Sequence, residues 1–207
     1  MRLVFPVCNP KGFVIASTLL LMLIGPFAIG VIAEDYKKEF GFSAGYSPGS
    51  TTGIGVTEGQ QFFQTCIDFG FVLYRWQDVS FKYKASLIPV AFIHGDQATL
   101  QLRSNRMIYG GGADPIGLQF NFRSQKRLQP FLAGSGGFLY FTEQIPVANS
   151  SQYNFTFSFI GGSEYMTGGK HSILFGYRYH HISNANTGNV NPGIDSHVMF
   201  AGLSFKR

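Results

Sequence analysis

The chain has 207 residues and a formal net charge of +5, with 13% of residues charged, 16% aromatic and 26 glycines. An average soluble domain carries about 25% charged residues, so this composition argues against an ordinary water-facing surface. The basic residues are scattered along the chain, which excludes a nucleic-acid stripe, and the length accommodates one domain.

Residues 1–33 have the order of an export signal. Arg2 and Lys11 supply a positive start, Phe13 to Ile32 an apolar run, and Val31-Ile32-Ala33 a V-x-A cleavage site before Glu34. The run approaches the roughly 20 residues that span a bilayer as a helix, but Gly25 and Pro26 break it and no cluster of positive stop-transfer charges follows. Cleavage is therefore expected, leaving 34–207 as the mature β-barrel domain. Cys8 precedes the apolar run instead of ending it, which argues against a lipid anchor, and loss of the signal leaves Cys66 without an intrachain disulfide partner.

Beyond residue 34, period-two alternation recurs along the whole chain. Phe40, Phe42, Ala44 and Tyr46 share a face. Phe63, Thr65, Ile67, Phe69, Phe71 and Leu73 form a second row, opposite Gln64, Cys66, Asp68 and Gly70. Val79, Phe81, Tyr83, Ala85 and Leu87 form a third, with Ser80, Lys82, Lys84 and Ser86 behind them. Ile116, Leu118, Phe120 and Phe122 make a fourth. The stretch from Pro130 to Phe141 is apolar on both faces and thinned by glycines. Tyr153 to Phe159, Ile173 to Tyr179 and Met199 to Phe205 complete about eight strands. The stretches "SPGSTTGIGVTEG", "GGGADP", "PVANSSQ" and "NTGNVNPG" have the composition of turns between them.

Two architectures fit such rows. A soluble sandwich or lipocalin-like barrel turns its apolar face inward, whereas an outer-membrane barrel turns it to lipid. The polar faces here are short-chained and glycine-rich, with Lys82, Lys84, Asp68 and Arg178 spaced as interior ion partners. Aromatics gather near strand ends, as interfacial girdles require. The sequence therefore predicts an all-β fold, an eight-stranded antiparallel transmembrane β-barrel behind a cleavable signal peptide. A barrel of that size is filled by side chains, which argues against a pore.

One row departs from its own pattern. Continuing the alternation through "FGYRYHHIS" places His181 and Ser183 on the lipid face with Phe175, Tyr177 and Tyr179. Asp195, beyond the turn, is in phase with Met199, Ala201 and Leu203, so it also points outward. A hairpin here brings nucleophile, base and orienting carboxylate within reach of one another. Adjacent His180 and His181 point to opposite faces, which argues against a shared metal. His197 also faces outward near Asp195 and is a substitute partner for it. Asn184, Asn189 and Asn191, with Gly188 and Gly193, fit ordinary turn chemistry. A lone Ser or His at a strand end is commonly an interfacial polar residue; His, Ser, Asn and an acid together on a lipid-facing row speak for chemistry.

The run "HISNANTGNVNPGID" resembles the signature of the outer-membrane lipid A 3-O-deacylase (PagL) family, acyloxyacyl hydrolase-like proteins with H-x-S-N followed by a turn and an acidic residue. Weaker likeness extends to "DPIG" at Asp114 to Gly117 and "QPFLAGSGG" at Gln129 to Gly137. The resemblance implies an eight-stranded barrel in the outer membrane of a Gram-negative bacterium, acting on lipid A or lipopolysaccharide of the outer leaflet. It implies Ser183 as nucleophile, His181 as general base, Asp195 as the acid that orients it, Asn184 at the oxyanion and Asn191 in support of the loop or site. It implies no metal and no organic cofactor. The acid of the best-known family pattern is Glu, and Asp195 is one methylene shorter, which puts the geometry in question more than the chemistry. The alternatives are a non-catalytic structural or adhesive barrel of the outer membrane, and a soluble periplasmic lipid-binding barrel.

Overall fold

A computed structural model describes residues 36–95 and 107–207 of the chain; the expected signal peptide lies outside the described residues. Among the described residues nine strands follow in order: β1 (Lys38–Ser47), β2 (Ser50–Thr51), β3 (Gln61–Trp76), β4 (Val79–His94), β5 (Met107–Phe122), β6 (Leu128–Ile145), β7 (Ser151–Gly168), β8 (His171–Ser183) and β9 (Ile194–Lys206). Each long strand pairs antiparallel with the next, and β1 pairs with both β3 and β9. Phe40 thus faces Phe69 on one side and Phe205 on the other. The result is a closed eight-stranded barrel with no free edge. The short β2 continues the line of β1 after Pro48-Gly49 and pairs Ser50 with Ser196 and Thr51 with Asp195. No helix among the described residues is long and apolar enough to cross a membrane; the crossing is made by strands.

The apolar rows face outward, which removes the soluble-barrel alternative. Phe40, Phe42, Phe69, Phe71, Leu118, Phe120, Phe155, Phe159, Leu132 and Leu203 are all exposed on the barrel wall. Lipid offers those side chains the environment that water denies them, while barrel closure pairs the strand backbones. The connections also differ at the two ends. Segments 77–78, 123–127 and 169–170 close one end, and 48–60, 146–150 and 184–193 the other. Short turns belong to the periplasmic side and longer loops to the outside, so the start of β9 lies at the level of the outer leaflet.

Inside, the barrel is layered. Near the short turns, Lys82 Nζ bridges Glu39 at 2.8 Å and Glu164 at 3.3 Å, Lys84 reaches Glu39 at 2.7 Å, and Lys206 reaches Glu164 at 2.5 Å. Ser172 and Asn121 donate to the same Glu164, at 2.6 and 2.8 Å. Lys82 and Lys84 are the interior ion partners that the alternation anticipates; their carboxylate partners, Glu39 and Glu164, sit on distant strands and only barrel closure brings them together. Midway, Asp68 accepts from Ser43 and Ser86, and Asp114 accepts from Ser135 and Thr156 with the Arg178 guanidinium at 3.8 Å. At the loop end the interior turns apolar: Phe62, Ile88, Ile93, Leu139, Phe141, Ile182, Ile194 and Val198 form one buried cluster. The barrel is filled and not an open pore.

One segment corrects the sequence expectation. "GGGADP" is not a turn but lies within β5, where the β5–β6 register shifts between Ala113 and Ile116. A Cβ on Gly112 would collide with the Phe138 carbonyl, and one on Gly137 with the Ala113 carbonyl. The two strands pinch together there, which glycine permits, and the bulge accommodates Pro115.

The ion network carries a stability prediction. Replacing Glu164 by Ala leaves Lys82 and Lys206 buried with one acceptor fewer, and breaking a buried pair costs about 3–5 kcal/mol. Glu164→Ala is expected to unfold at clearly lower urea concentration in detergent, followed by the heat-modifiable gel migration of the folded barrel; an unchanged midpoint contradicts the network's role.

Candidate active site

The β8–β9 hairpin sets the site. Its register pairs Ile182 with Ile194 and His181 with Asp195. Ile182 and Ile194 point inward, are 1% and 0% exposed, and belong to the apolar cluster. Because strand side chains alternate, locking those two inside holds His181 and Asp195 outside, side by side. His181 Nδ1 lies 2.5 Å from Asp195 Oδ1. Asp195 is one methylene shorter than a glutamate, and its direct cross-strand position makes that length sufficient. His180, the next residue, points inward, bonds Ser158 Oγ through Nδ1 at 2.9 Å and stacks on Phe62.

Both members of the outward pair are buried although they face away from the interior. On one side the Phe157 ring packs on the imidazole, with centroids 4.8 Å apart, as its cross-strand neighbour on β7. On the other, the chain after β2 curls over the carboxylate. Asp195 Oδ2 accepts from the backbone N–H of Ile54 at 2.6 Å and of Gly55 at 2.9 Å. The Tyr179 phenol lies against the same carboxylate. Desolvating a carboxylate is costly unless its lone pairs are occupied, and here both oxygens are.

Ser183 ends β8 on the same outward row, opposite Phe155, and is half-buried. Among the described residues no hydrogen bond joins its hydroxyl to His181, whose Nε2 is left free by the Nδ1 contact. The geometry therefore places Ser183, His181 and Asp195 on one outward patch at the loop end, with the His–acid contact formed.

The expected supporting residues hold the β8–β9 loop. Both amide hydrogens of Asn184 are engaged, with Ser150 Oγ at 3.2 Å and the Val190 carbonyl at 2.8 Å, so the side chain makes no free oxyanion donor in this arrangement. Its backbone N–H donates to Asn191 Oδ1 at 3.0 Å. Asn189 and Val190 donate to the Asn149 carbonyl, bracing the loop on the neighbouring 146–150 connection. Gly193 turns the chain into β9 with φ at +65°, a left-handed conformation suited to glycine. His197, the candidate substitute partner, is engaged elsewhere: Nε2 contacts Thr51 Oγ1 at 2.7 Å, and Nδ1 contacts the Tyr177 hydroxyl.

Sequence reasoning missed the contribution of "TTGIG". It has turn composition and no titratable group, yet it supplies two of the donors on Asp195. The available signal was the pair of glycines flanking Ile54, which mark a close backbone approach.

The family model described as lipid A 3-O-deacylase (PagL) matches residues 70–204. The crystal structure of the outer membrane enzyme PagL superposes with a TM-score of 0.57 at 18% identity, covering 78% of this chain and 97% of that one. Neisserial surface protein A superposes with a TM-score of 0.52 at 18% identity, covering 82% and 97%. No curated protein matches the chain. At such identity the superpositions establish the barrel fold, and the family model carries the relationship.

The patch predicts selective reactivity. A fluorophosphonate probe is expected to add to Ser183, read as a mass increase on the peptide that contains it. His181→Ala should lower the labelling rate by about 10²-fold or more, the contribution of a general base, while His197→Ala should label like the native chain. Equal labelling of all three proteins would mean that the imidazole does not activate the serine.

Proposed function

This chain belongs to the lipid A 3-O-deacylase (PagL) family and is an outer-membrane β-barrel, and from that premise we propose that it removes an ester-linked 3-hydroxyacyl chain from lipid A. The observation that carries the reading is the His181–Asp195 contact, on the lipid-facing side of the barrel and next to Ser183. Lipid A diffuses laterally in the outer leaflet and meets the site without entering the filled barrel. The matched region, 70–204, includes all three residues.

In the proposed mechanism Asp195 keeps His181 with its proton on Nδ1, so that Nε2 is the basic nitrogen. Ser183 Oγ attacks the ester carbonyl carbon as Nε2 takes the hydroxyl proton. The carbonyl oxygen becomes an oxyanion. We assign its stabilisation to the backbone N–H of Asn184, the residue after the nucleophile, which leaves Asn191 Oδ1 for the stronger acceptor. Collapse of the tetrahedral intermediate breaks the ester C–O bond, and the sugar oxygen leaves as an alcohol with the proton from Nε2. Water, deprotonated by the same nitrogen, then attacks the acyl-serine. The 3-hydroxy fatty acid departs and Ser183 is restored. Phe157 packs on the imidazole, and Tyr179 lies against Phe157 and the Asp195 carboxylate; keeping water from the dyad strengthens its electrostatic interactions.

The test is made in cells. Expression of the native chain in a Gram-negative host is expected to lower the mass of lipid A by one 3-hydroxyacyl chain, and Ser183→Ala should leave lipid A at full mass while still folding into the membrane. Identical lipid A profiles for the two proteins would favour the non-catalytic barrel. The same reading makes residues 1–33 a removed export signal, and amino-terminal sequencing of the membrane-extracted protein is expected to start at Glu34.

A further inference from the structure

We infer that the first outer loop, residues 52–57, is a positioning element for the triad acid and a contact for the acyl chains of the surrounding lipid, so that docking of this loop on lipid sets the orientation of Asp195. The inference rests on the deacylase reading above for its catalytic consequence and on the loop's own contacts for its structure.

The carboxylate is held from two sides. Oδ1 faces the imidazole at 2.5 Å, and Oδ2 takes the N–H groups of Ile54 and Gly55 at 2.6 and 2.9 Å. With both oxygens engaged, rotation about the Cβ–Cγ bond of Asp195 breaks at least one contact, so the loop amides fix the plane that the imidazole meets. They carry no proton to the reaction and touch no reacting atom. The loop is itself tied down: Val56 N–H donates to the Pro192 carbonyl at 2.7 Å and Thr57 N–H to the Gly193 carbonyl at 3.3 Å. Ser50 Oγ donates to the Thr57 carbonyl at 2.7 Å and accepts from Gln60 N–H at 3.0 Å, closing the loop at its base.

Two glycines are required by these contacts and not by backbone conformation. A Cβ on Gly53 would lie 2.5 Å from Asp195 Oδ2. A Cβ on Gly55 would lie 2.7 Å from the Gly193 carbonyl carbon and 2.9 Å from Ile194 N, both backbone atoms that cannot swing aside. Gly49, at the start of the same connection, has only a 3.9 Å neighbour and would accept a methyl group. The loop is thus fitted to the acid at 53 and 55 and open at 49.

The side chains between and after those glycines face the other way. Ile54 and Val56 are 64% and 65% exposed, on a loop whose amides meet Asp195 on the outward face, one step beyond the exposed Tyr46–Met199 pair of the apolar wall. Continuity with that lipid-facing wall identifies acyl chains as the occupant. Burying two branched aliphatic side chains in lipid favours the docked loop, and the docked loop presents its amides to Asp195.

The experiment has a kinetic arm and an exchange arm on the full-length protein in phospholipid vesicles containing lipid A. Gly55→Ala is expected to lower kcat by about 10²-fold, the scale of a small misplacement in a catalytic group, with KM and heat-modifiable migration unchanged. Gly49→Ala should match the native chain. Ile54→Ser with Val56→Ser should raise KM for lipid A with kcat retained at saturation. In the exchange arm, the Ile54 and Gly55 amides should be protected in the native chain and exchange freely in Asp195→Ala, with strand amides unaffected. Native kcat in Gly55→Ala, or equal protection with and without the carboxylate, overturns the positioning role; an unchanged KM in the serine variant overturns the lipid contact. If the native chain does not deacylate lipid A at all, the deacylase reading fails, and the exchange arm alone decides whether the loop holds the acid.

Discussion

The site depends on one constraint, the register of β8 against β9. Ile182 and Ile194 face each other inside the barrel, in the apolar cluster beneath the outer loops. Alternation then leaves no choice for their neighbours: His181 and Asp195 must face each other outside. A slip of one residue in β8 would turn the imidazole into the apolar interior and Ile182 to the membrane, and so part His181 from Asp195. The hydrophobic contacts of the interior thus determine which polar groups meet on the exterior, and the two sides of the wall are specified together.

A polar pair on a lipid-facing wall also needs shelter. Polar groups exposed to hydrocarbon are costly, and the fold reduces that cost in three ways. The pair sits at the loop end, at headgroup level. Phe157 covers the imidazole from the β7 side. The chain beyond β2 covers the carboxylate with backbone amides, which satisfy Oδ2 without introducing another charge. The free edge is Nε2, on the patch that also carries the half-buried Ser183. The buried ion network near the short turns, centred on Glu39 and Glu164, follows the same logic with every charge paired. It leaves the barrel filled, and the proposed lipid substrate accordingly approaches from the membrane.

The Asn184 arrangement separates support from chemistry. Its side-chain amide binds the loop to Ser150 and Val190, while its backbone N–H is held by an exchangeable acceptor, Asn191 Oδ1. In the proposed mechanism this residue therefore serves the oxyanion through its backbone. Likewise His197, in phase with Asp195 and two positions away, belongs to a separate hydroxyl–imidazole chain with Thr51 and Tyr177.

Much of the fold was legible because a strand writes its orientation into the sequence with period two. The rows at Phe40–Tyr46, Phe63–Leu73 and Tyr153–Phe159 each identify a lipid-facing side, and "HHIS" reveals its own exception by placing a histidine and a serine where aromatics belong. Segment "GGGADP" was misread because glycine composition is shared by turns and by strands that pinch together, and only the facing carbonyls of Phe138 and Ala113 distinguish them. The carboxylate partners of Lys82 and Lys84, and the amides of Ile54 and Gly55 on Asp195, join residues separated by about 40 to 140 positions. Local periodicity therefore determined which side of the wall each residue takes, since that depends only on its strand. Which residues meet across the barrel, and which loop closes over the acid, was decided by tertiary structure, because closure and register are properties of the whole sheet.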